Sequence, residues 1–228
     1  MNILLLGPQG SGKGTQAKRI AAEYGVPHVE TGGRLRAESA SGTELGLRVK
    51  PIMDSGRLVP DELMIELIRD WLGRPDAAEG FVLDGFPRTA AQAEALDAML
   101  REIGRDLDVV FEFQIEDETS VERLLRRAQE EGRADDTPEV IARRLALYHE
   151  QTEPLIEHYR ATGRVVGIHA DRAVDEVFAE IQDALEQVAA RASSFGNPPR
   201  RSRGSRARAP WSPTRSRSSA ITCDPACR

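Results

Sequence analysis

Cysteine is scarce in this sequence, and long apolar runs are missing. The two cysteines, Cys223 and Cys227, lie near the C-terminus with no histidine close by, so they supply too few ligands for a metal site and we expect free thiols. No apolar run approaches the roughly 18–20 residues that cross a bilayer. The N-terminal segment MNILLLGPQG has no basic region, which argues against a secretory signal. These absences predict a cytoplasmic protein that does not enter a membrane.

Acidic residues outnumber basic ones outside the C-terminal tail. Residues 192–228 contain eight Arg and one Asp, so the preceding 191 residues carry 23 basic against 36 acidic side chains. Such an acidic body lacks the basic face that a nucleic-acid-binding domain needs. The tail is rich in Ser, Arg and Pro without apolar periodicity, which predicts disorder. We expect a solvated extension without a catalytic role; contact with nucleic acid or a membrane is the alternative.

Short apolar segments alternate with amphipathic ones over residues 1–191. The apolar segments predict strands at residues 2–7, 27–30, 80–85, 107–115 and 164–170. The amphipathic segments predict helices at residues 13–24, 34–55 with a break near Pro51, 61–72, 89–104, 118–132, 138–159 and 173–191. Strands that alternate with helices predict an α/β domain whose parallel sheet is covered by helices on both faces.

A phosphate-binding loop is predicted between the first strand and the first helix. The segment GPQGSGKGT, residues 7–15, matches G-x-x-x-x-G-K with Gly7, Gly12 and Lys13 in register. Glycines allow backbone N–H groups to curl around phosphate oxygens, and the helix N-terminus adds a favourable field. Lys13 supplies a cation for the β and γ phosphates. The Ser or Thr that usually follows the lysine is replaced by Gly14, with Thr15 one position later.

Four segments in order, GSGKGTQ, TGGRLR, SGRLVPDEL and LDGFPRT, resemble the adenylate kinase family, and the resemblance covers about residues 1–190. It implies a P-loop NTPase fold with two small mobile parts, an AMP-binding segment at 30–59 and a short lid at 126–136. It further implies reversible phosphoryl transfer from Mg-ATP to AMP, giving two ADP, with ATP, AMP and ADP as the partners of a monomer. Phosphoryl transfer needs positioning and electrostatic stabilisation, so we expect no nucleophile and no general base.

The resemblance also implies the residues of the site. Catalytic cations that neutralise the transferred group would be Lys13, Arg88, Arg123, Arg133 and Arg144. The ATP site would comprise Gly10, Ser11, Gly12, Lys13, Gly14, Thr15, Arg127 and Arg172. The AMP site would comprise Thr31, Arg36, Arg57, Leu58, Val59, Gly85, Phe86, Pro87, Arg88, Gln92, Arg133 and Arg144. Guanidinium groups grip phosphate oxygens bidentately, but a solvated Arg/Glu helix face is the alternative for any single arginine of the second half.

Several further positions follow from the same resemblance. Asp84 would anchor Mg²⁺ through water, and Asp135 and Asp136 resemble the acidic pair that pins the lid arginines. Arg126 stands where the family commonly has glycine, which leaves open whether Arg126 or Arg127 points inward. The lid is too short, and lacks the cysteines, for the zinc ligands of long-lid relatives, so we expect no zinc.

The clearest departure from the family follows Thr31 and Gly32, where relatives usually have an aspartate and this chain has Gly33. In relatives that carboxylate is thought to help hold the water shell of Mg²⁺. Its loss predicts a slower enzyme with a raised Mg²⁺ requirement. Two other functions remain open: a UMP/CMP kinase, which would share the loop and the arginines, and a nucleotide-binding regulator with little turnover. Thr31 and the ending FPRT resemble the AMP-specific pattern more closely.

Overall fold

The strands form one parallel sheet in a computed structural model that describes residues 1–132 and 136–194. The strands are β1 (Asn2–Leu6), β2 (His28–Glu30), β3 (Phe81–Asp84), β4 (Val109–Gln114) and β5 (Val165–His169). Their order in the sheet is β2-β3-β1-β4-β5. The central strand β1 pairs on both sides, so that Leu4 lies between Leu83 of β3 and Val110 of β4. The predicted parallel sheet is confirmed.

Helices connect and cover these strands. They are α1 (Lys13–Tyr24), α2 (Thr31–Ser41), α3 (Glu44–Asp54), α4 (Asp61–Leu72), α5 (Ala90–Glu102), α6 (Asp117–Glu131), α7 (Pro138–Leu147), α8 (Pro154–Arg160) and α9 (Val174–Ser194). A short 3₁₀ turn at Pro75–Ala77 precedes β3, and a π-helical turn at Tyr148–Thr152 joins α7 to α8. None of the helices in the described residues is long and apolar enough to span a membrane.

The core lies on both faces of the sheet because side chains alternate along each strand. On one face, Leu4 and Leu83 pack with residues of α4, α5 and α8, among them Ile68 and Leu96. On the other face, buried strand residues such as Ile3 pack with α1 and α9. The strands are therefore buried on both sides, as their continuous apolar sequences predict.

Two predicted helix boundaries are wrong. The break in the 34–55 region lies at Gly42 and Thr43 rather than near Pro51, which is inside α3. Gly42 ends α2 with a left-handed φ of 66°, and the Thr43 hydroxyl accepts a hydrogen bond from the Gly46 N–H, which caps α3. These are common C-terminal and N-terminal helix signals, and both are present in the sequence SGTEL.

The second correction concerns the predicted helix at 138–159, which the π-helical turn interrupts. Pro154 has no N–H to donate, and its ring crowds the carbonyl four residues earlier. The chain widens there, and the Glu153 N–H bonds the Tyr148 carbonyl five residues back. In this turn the Thr152 hydroxyl donates to the Arg88 carbonyl at 2.9 Å, which ties the turn to the loop after β3.

At the C-terminus, α9 runs to Ser194, past the expected boundary at 191. Residues 195–228 of the predicted tail lie outside the described residues.

Candidate active site

A cavity of about 680 Å³ opens at the carboxyl edge of the sheet, where β1 and β3 end. The helix after β1 packs on one face of the sheet and the helix after β3 packs on the other, and ligands bind between such strands in open parallel sheets. Nineteen of the predicted site residues line the cavity: Gly10, Gly12, Lys13, Gly14, Thr15, Thr31, Arg36, Arg57, Leu58, Val59, Asp84, Gly85, Pro87, Arg88, Gln92, Arg123, Arg127, Arg144 and Arg172. Ser11 and Phe86 are buried and do not line it. Arg133 and Asp135 lie outside the described residues.

The loop at 7–15 wraps around the ammonium group of Lys13. Its Nζ donates to the carbonyls of Gly7 and Pro8, both at 2.6 Å, and to the Ser11 hydroxyl at 3.2 Å. Gly10 has a left-handed φ of 86°, and a Cβ there would lie 2.6 Å from the Ser120 carbonyl oxygen, so only glycine fits. The loop therefore needs its glycines both for its turn and for its close approach to α6.

The first turn of α1 faces this cavity through Lys13, Gly14 and Thr15. Gly12 precedes the helix, and no side chain caps its N-terminus. The free N–H groups of such a turn carry partial positive charge and bind anions. The loop and the helix start together offer a cation and backbone donors to a polyphosphate.

Burial and neighbouring charges change the acidity of the two innermost cations. Removal from water lowers the pKa of Lys13 to about 8, against the opposing effect of the Asp84 carboxylate. Burial also lowers the pKa of Arg88, which Asp84 raises and the positive charges of Arg144 and Arg36 lower further. These cations stand close enough to repel one another, so the cavity favours an anion.

Arg88 is held by the loop that follows β3. Its Nε donates to the Gly85 carbonyl at 2.8 Å. A Cβ at Gly85, where φ is 87°, would lie 2.6 Å from the Thr31 hydroxyl, so glycine lets β3 and α2 approach closely. The Thr31 hydroxyl in turn donates to the Asp84 carbonyl at 3.3 Å. The ends of β2 and β3 are thereby joined beneath the predicted AMP site.

Gln92 uses both ends of its amide within the protein. Its Oε1 accepts from the Arg88 N–H at 2.8 Å, and its Nε2 donates to Asp61 at 2.7 Å. Asp61 also accepts from the Thr89 hydroxyl at 3.0 Å. Asp61 was not among the predicted site residues, although it lies in the segment SGRLVPDEL. Recognition of the adenine ring of AMP by Gln92 stays a prediction.

The lid-side arginines converge on one fully buried carboxylate. Arg127 donates to Asp136 Oδ2 through Nε and Nη2, at 2.8 and 2.6 Å, and Arg144 donates to Oδ1 at 2.9 Å. The Asp136 side chain is 0% exposed, so both guanidinium groups are held by a carboxylate that solvent does not reach. Arg126 instead lies near Glu130 at 3.8 Å with 69% of its side chain exposed. Of this adjacent pair, Arg127 is the one held inward.

The remaining predicted arginines contact the loop after β5 or its surroundings. Arg123 donates to the carbonyls of Ala170 and Asp171, at 2.7 and 3.2 Å. Arg172 is half-exposed and lies 3.9 Å from Glu180. Both line the cavity.

Asp84 lies beside the phosphate loop. It is buried, and its Oδ2 lies 3.5 Å from the place a Cβ on Gly14 would take. His28 Nε2 lies 3.9 Å from the same oxygen; burial lowers the pKa of His28, while Asp84 and Glu30 oppose that effect. In the described residues, no cluster of three or more His, Cys, Asp and Glu side chains could hold a metal ion. The oxygen of Asp84 suits a hard cation that arrives with phosphate and water ligands.

Comparisons with known proteins point the same way. A family model described as adenylate kinase matches residues 5–164, which include every predicted site residue except Arg172. The adenylate kinase of Caulobacter vibrioides (strain NA1000 / CB15N) is 49% identical over 190 residues, which cover 83% of this chain and all of that protein. The adenylate kinase of Maricaulis maris (strain MCS10) is 51% identical over 187 residues, or 82% of this chain and all of that protein. That of Stenotrophomonas maltophilia (strain K279a) is 45% identical over 186 residues, with the same coverage.

Proposed function

The chain belongs to the adenylate kinase family, and on this premise we propose how its own residues carry out the family's reaction. The enzyme transfers a phosphoryl group reversibly between ATP and AMP, giving two ADP. The observation that carries the assignment of roles is the convergence of Lys13, Arg88, Arg123, Arg127 and Arg144 on one cavity beside the phosphate loop.

ATP would bind with its phosphates on the loop and on the first turn of α1. The phosphates would draw the Lys13 ammonium group away from the carbonyls of Gly7 and Pro8, which hold it without neutralising its charge. AMP would bind beneath the segment 30–59, with its phosphate between Arg36 and Arg88. Charge that develops on the transferred group would then be neutralised from both sides, which is the main source of catalysis in this reaction.

Mg²⁺ would accompany ATP, with Asp84 holding its water shell. When bound, the ion would neutralise charge on the phosphate oxygens and fix their geometry. Asp84 supports this role because it is buried beside Gly14 and Lys13, where its carboxylate faces the site proposed for the phosphates. Absence of zinc, a cytoplasmic location and a monomeric state stay predictions of the sequence.

The segments 30–59 and 126–136 would close over the bound substrates and exclude water, which would otherwise hydrolyse ATP. The two segments are expected to close together. Arg143 and Arg144 of α7, the helix that follows the lid segment, support this because they donate to the carbonyls of Ser55 and Met53 at the end of α3. A bisubstrate mimic that joins two adenosines through phosphates should lower hydrogen exchange in both segments together. Protection confined to the phosphate loop would contradict closure.

One assay tests the function as a whole. ADP formation from ATP should be fast with AMP and slower by orders of magnitude in kcat/KM with UMP or CMP. A preference for a pyrimidine monophosphate would support the UMP/CMP kinase alternative instead. Failure to turn over any monophosphate, with ATP still binding, would indicate a regulator.

A further inference from the structure

Glu30, the residue immediately before α2, folds its side chain back over the first turn of that helix. Its Oε1 accepts a hydrogen bond from Arg36 Nη2 at 2.9 Å. Both side chains are about one-third exposed (35% each) and both line the active-site cavity. A carboxylate therefore occupies the edge of the cavity where the phosphate of AMP is proposed to bind.

Gly33 makes the room for this carboxylate. A Cβ at Gly33 would lie 2.8 Å from the carboxyl carbon of Glu30 and 2.9 Å from each of its oxygens. The backbone of Gly33 is helical and its φ is not positive, so the backbone does not require glycine. Glycine also weakens a helix relative to alanine. Because Gly33 has no side chain, the carboxylate of Glu30 can occupy the space above it.

The positive charges of Arg36 and Arg144 both act on Arg88 and lower its pKa. Asp84 is the acidic neighbour of Arg88, and Asp136 is the hydrogen-bonded partner of Arg144. Glu30 is likewise the hydrogen-bonded partner of Arg36, but unlike Asp136 it is partly exposed. Its ion pair is therefore easier to exchange than that of Asp136 with Arg144.

We propose that Glu30 is the resident counter-ion of Arg36 and that the phosphate of AMP displaces it on binding. A guanidinium grips phosphate through two parallel N–H bonds, and a carboxylate bonded to the same Nη2 repels the incoming dianion. Glu30 then makes AMP binding weaker but has moved aside before phosphoryl transfer, so it acts on KM for AMP and not on kcat. The inference rests on the proposed role of Arg36 in binding the AMP phosphate.

Glu30→Gln removes the charge and keeps the size of the side chain. KM for AMP should fall about twofold to fivefold, the range expected for a partly exposed ion pair, with kcat and KM for ATP unchanged. The dissociation constant of AMP measured by calorimetry without ATP should fall by the same factor, and less so at high salt. Glu38→Gln is the matched control on α2, since Glu38 accepts from Thr43 on the exposed side. An unchanged or raised KM for AMP in Glu30→Gln overturns the proposal.

Two further variants separate the inference from the proposed function. Gly33→Ala should displace the carboxylate and lower KM for AMP in the same direction, with no added effect in combination with Glu30→Gln. Arg36→Gln should raise KM for AMP at least about tenfold. If Arg36→Gln leaves KM for AMP unchanged, the proposed role of Arg36 itself is wrong. If Arg36→Gln raises KM for AMP but Glu30→Gln and Gly33→Ala do not lower it, only the counter-ion role of Glu30 is wrong.

Discussion

The two sides of the cavity hold their cations by different means. On the phosphate-loop side, residues 7–15, the Lys13 ammonium group is held by two backbone carbonyls and a hydroxyl. On the arginine side, formed by α2, α6 and α7, guanidinium groups pair with the carboxylates of Glu30 and Asp136. Uncharged partners place a cation without neutralising it, whereas carboxylates neutralise it until a phosphate competes. The first side is therefore fixed by the backbone, and the second should respond to changes of charge and to salt.

The largest effect should come from the phosphate-loop side. Lys13→Met should lower turnover by about three orders of magnitude or more, because the transferred group loses its closest cation. The fold should survive, since the ammonium group points into the cavity. Steady-state ADP formation and circular dichroism check both points, with the exposed Lys50→Met as control. A variant that keeps more than about a tenth of parent activity would refute the role of Lys13.

Next in size is the buried carboxylate of the arginine side. Asp136→Asn leaves Arg127 and Arg144 without their shared charge partner, and it should cost about 2–4 kcal/mol in the free energy of unfolding, since removing one member of a buried pair is expensive. Turnover should fall about tenfold to a hundredfold as both guanidinium groups lose their positions. Urea unfolding and the ADP assay measure the two effects. Glu130→Gln, which removes only the exposed neighbour of Arg126, should change neither by much.

The third prediction concerns the pH dependence of kcat/KM for ATP and of kcat. Burial lowers the pKa of Lys13 to about 8, so the free enzyme loses this cation as pH rises above that value. Since kcat/KM reports the free enzyme, kcat/KM for ATP should fall about tenfold per pH unit above about pH 8. Bound phosphates favour the charged ammonium group, so kcat should stay level to higher pH. Identical alkaline limbs for kcat and kcat/KM would contradict this assignment.

How much the sequence predicts also differs between the two sides. The loop, its position after β1 and the inward cation follow from the contiguous segment GPQGSGKGT, because backbone geometry and function share one motif. The parallel sheet follows from the alternation of apolar and amphipathic segments. These features depend on short-range pattern, and the structure confirms the fold.

The partners on the arginine side depend on tertiary contacts that the pattern does not reveal. Asp61 accepts a hydrogen bond from Gln92, 31 residues later in the chain. Apart from its place in the segment SGRLVPDEL, nothing in the sequence indicates this contact. Glu30 is unremarkable as the last residue of a short strand, and its contact with Arg36 depends on the space above Gly33. The raised Mg²⁺ requirement expected from Gly33 stays a prediction. An aspartate introduced there would meet the carboxylate of Glu30, so its effect has to be measured in a Glu30→Gln background as well.

The smallest effect expected concerns a histidine that joins α6 to the π-helical turn. His149 Nε2 lies 2.9 Å from Asp117 and Nδ1 lies 2.8 Å from Glu153. Its hydrogen bonds to Glu153 and Asp117 raise the pKa of His149 above the usual value. The protonated form is thus favoured in the folded protein, and the stabilisation is complete below about pH 6.5, the unfolded value, and is lost as pH rises through the folded pKa.

His149→Gln should accordingly lower the free energy of unfolding by less than about 1 kcal/mol at pH 5.5 and by almost nothing at pH 9, because the side chain is 43% exposed and solvent screens the pair. Thermal unfolding at the two pH values measures the difference, which corresponds to less than about 4 °C for a domain of this size. His158→Gln is the matched control, equally exposed but paired with the single carboxylate of Asp97. A loss for His149→Gln that is equal at both pH values would show that the ring acts by packing alone.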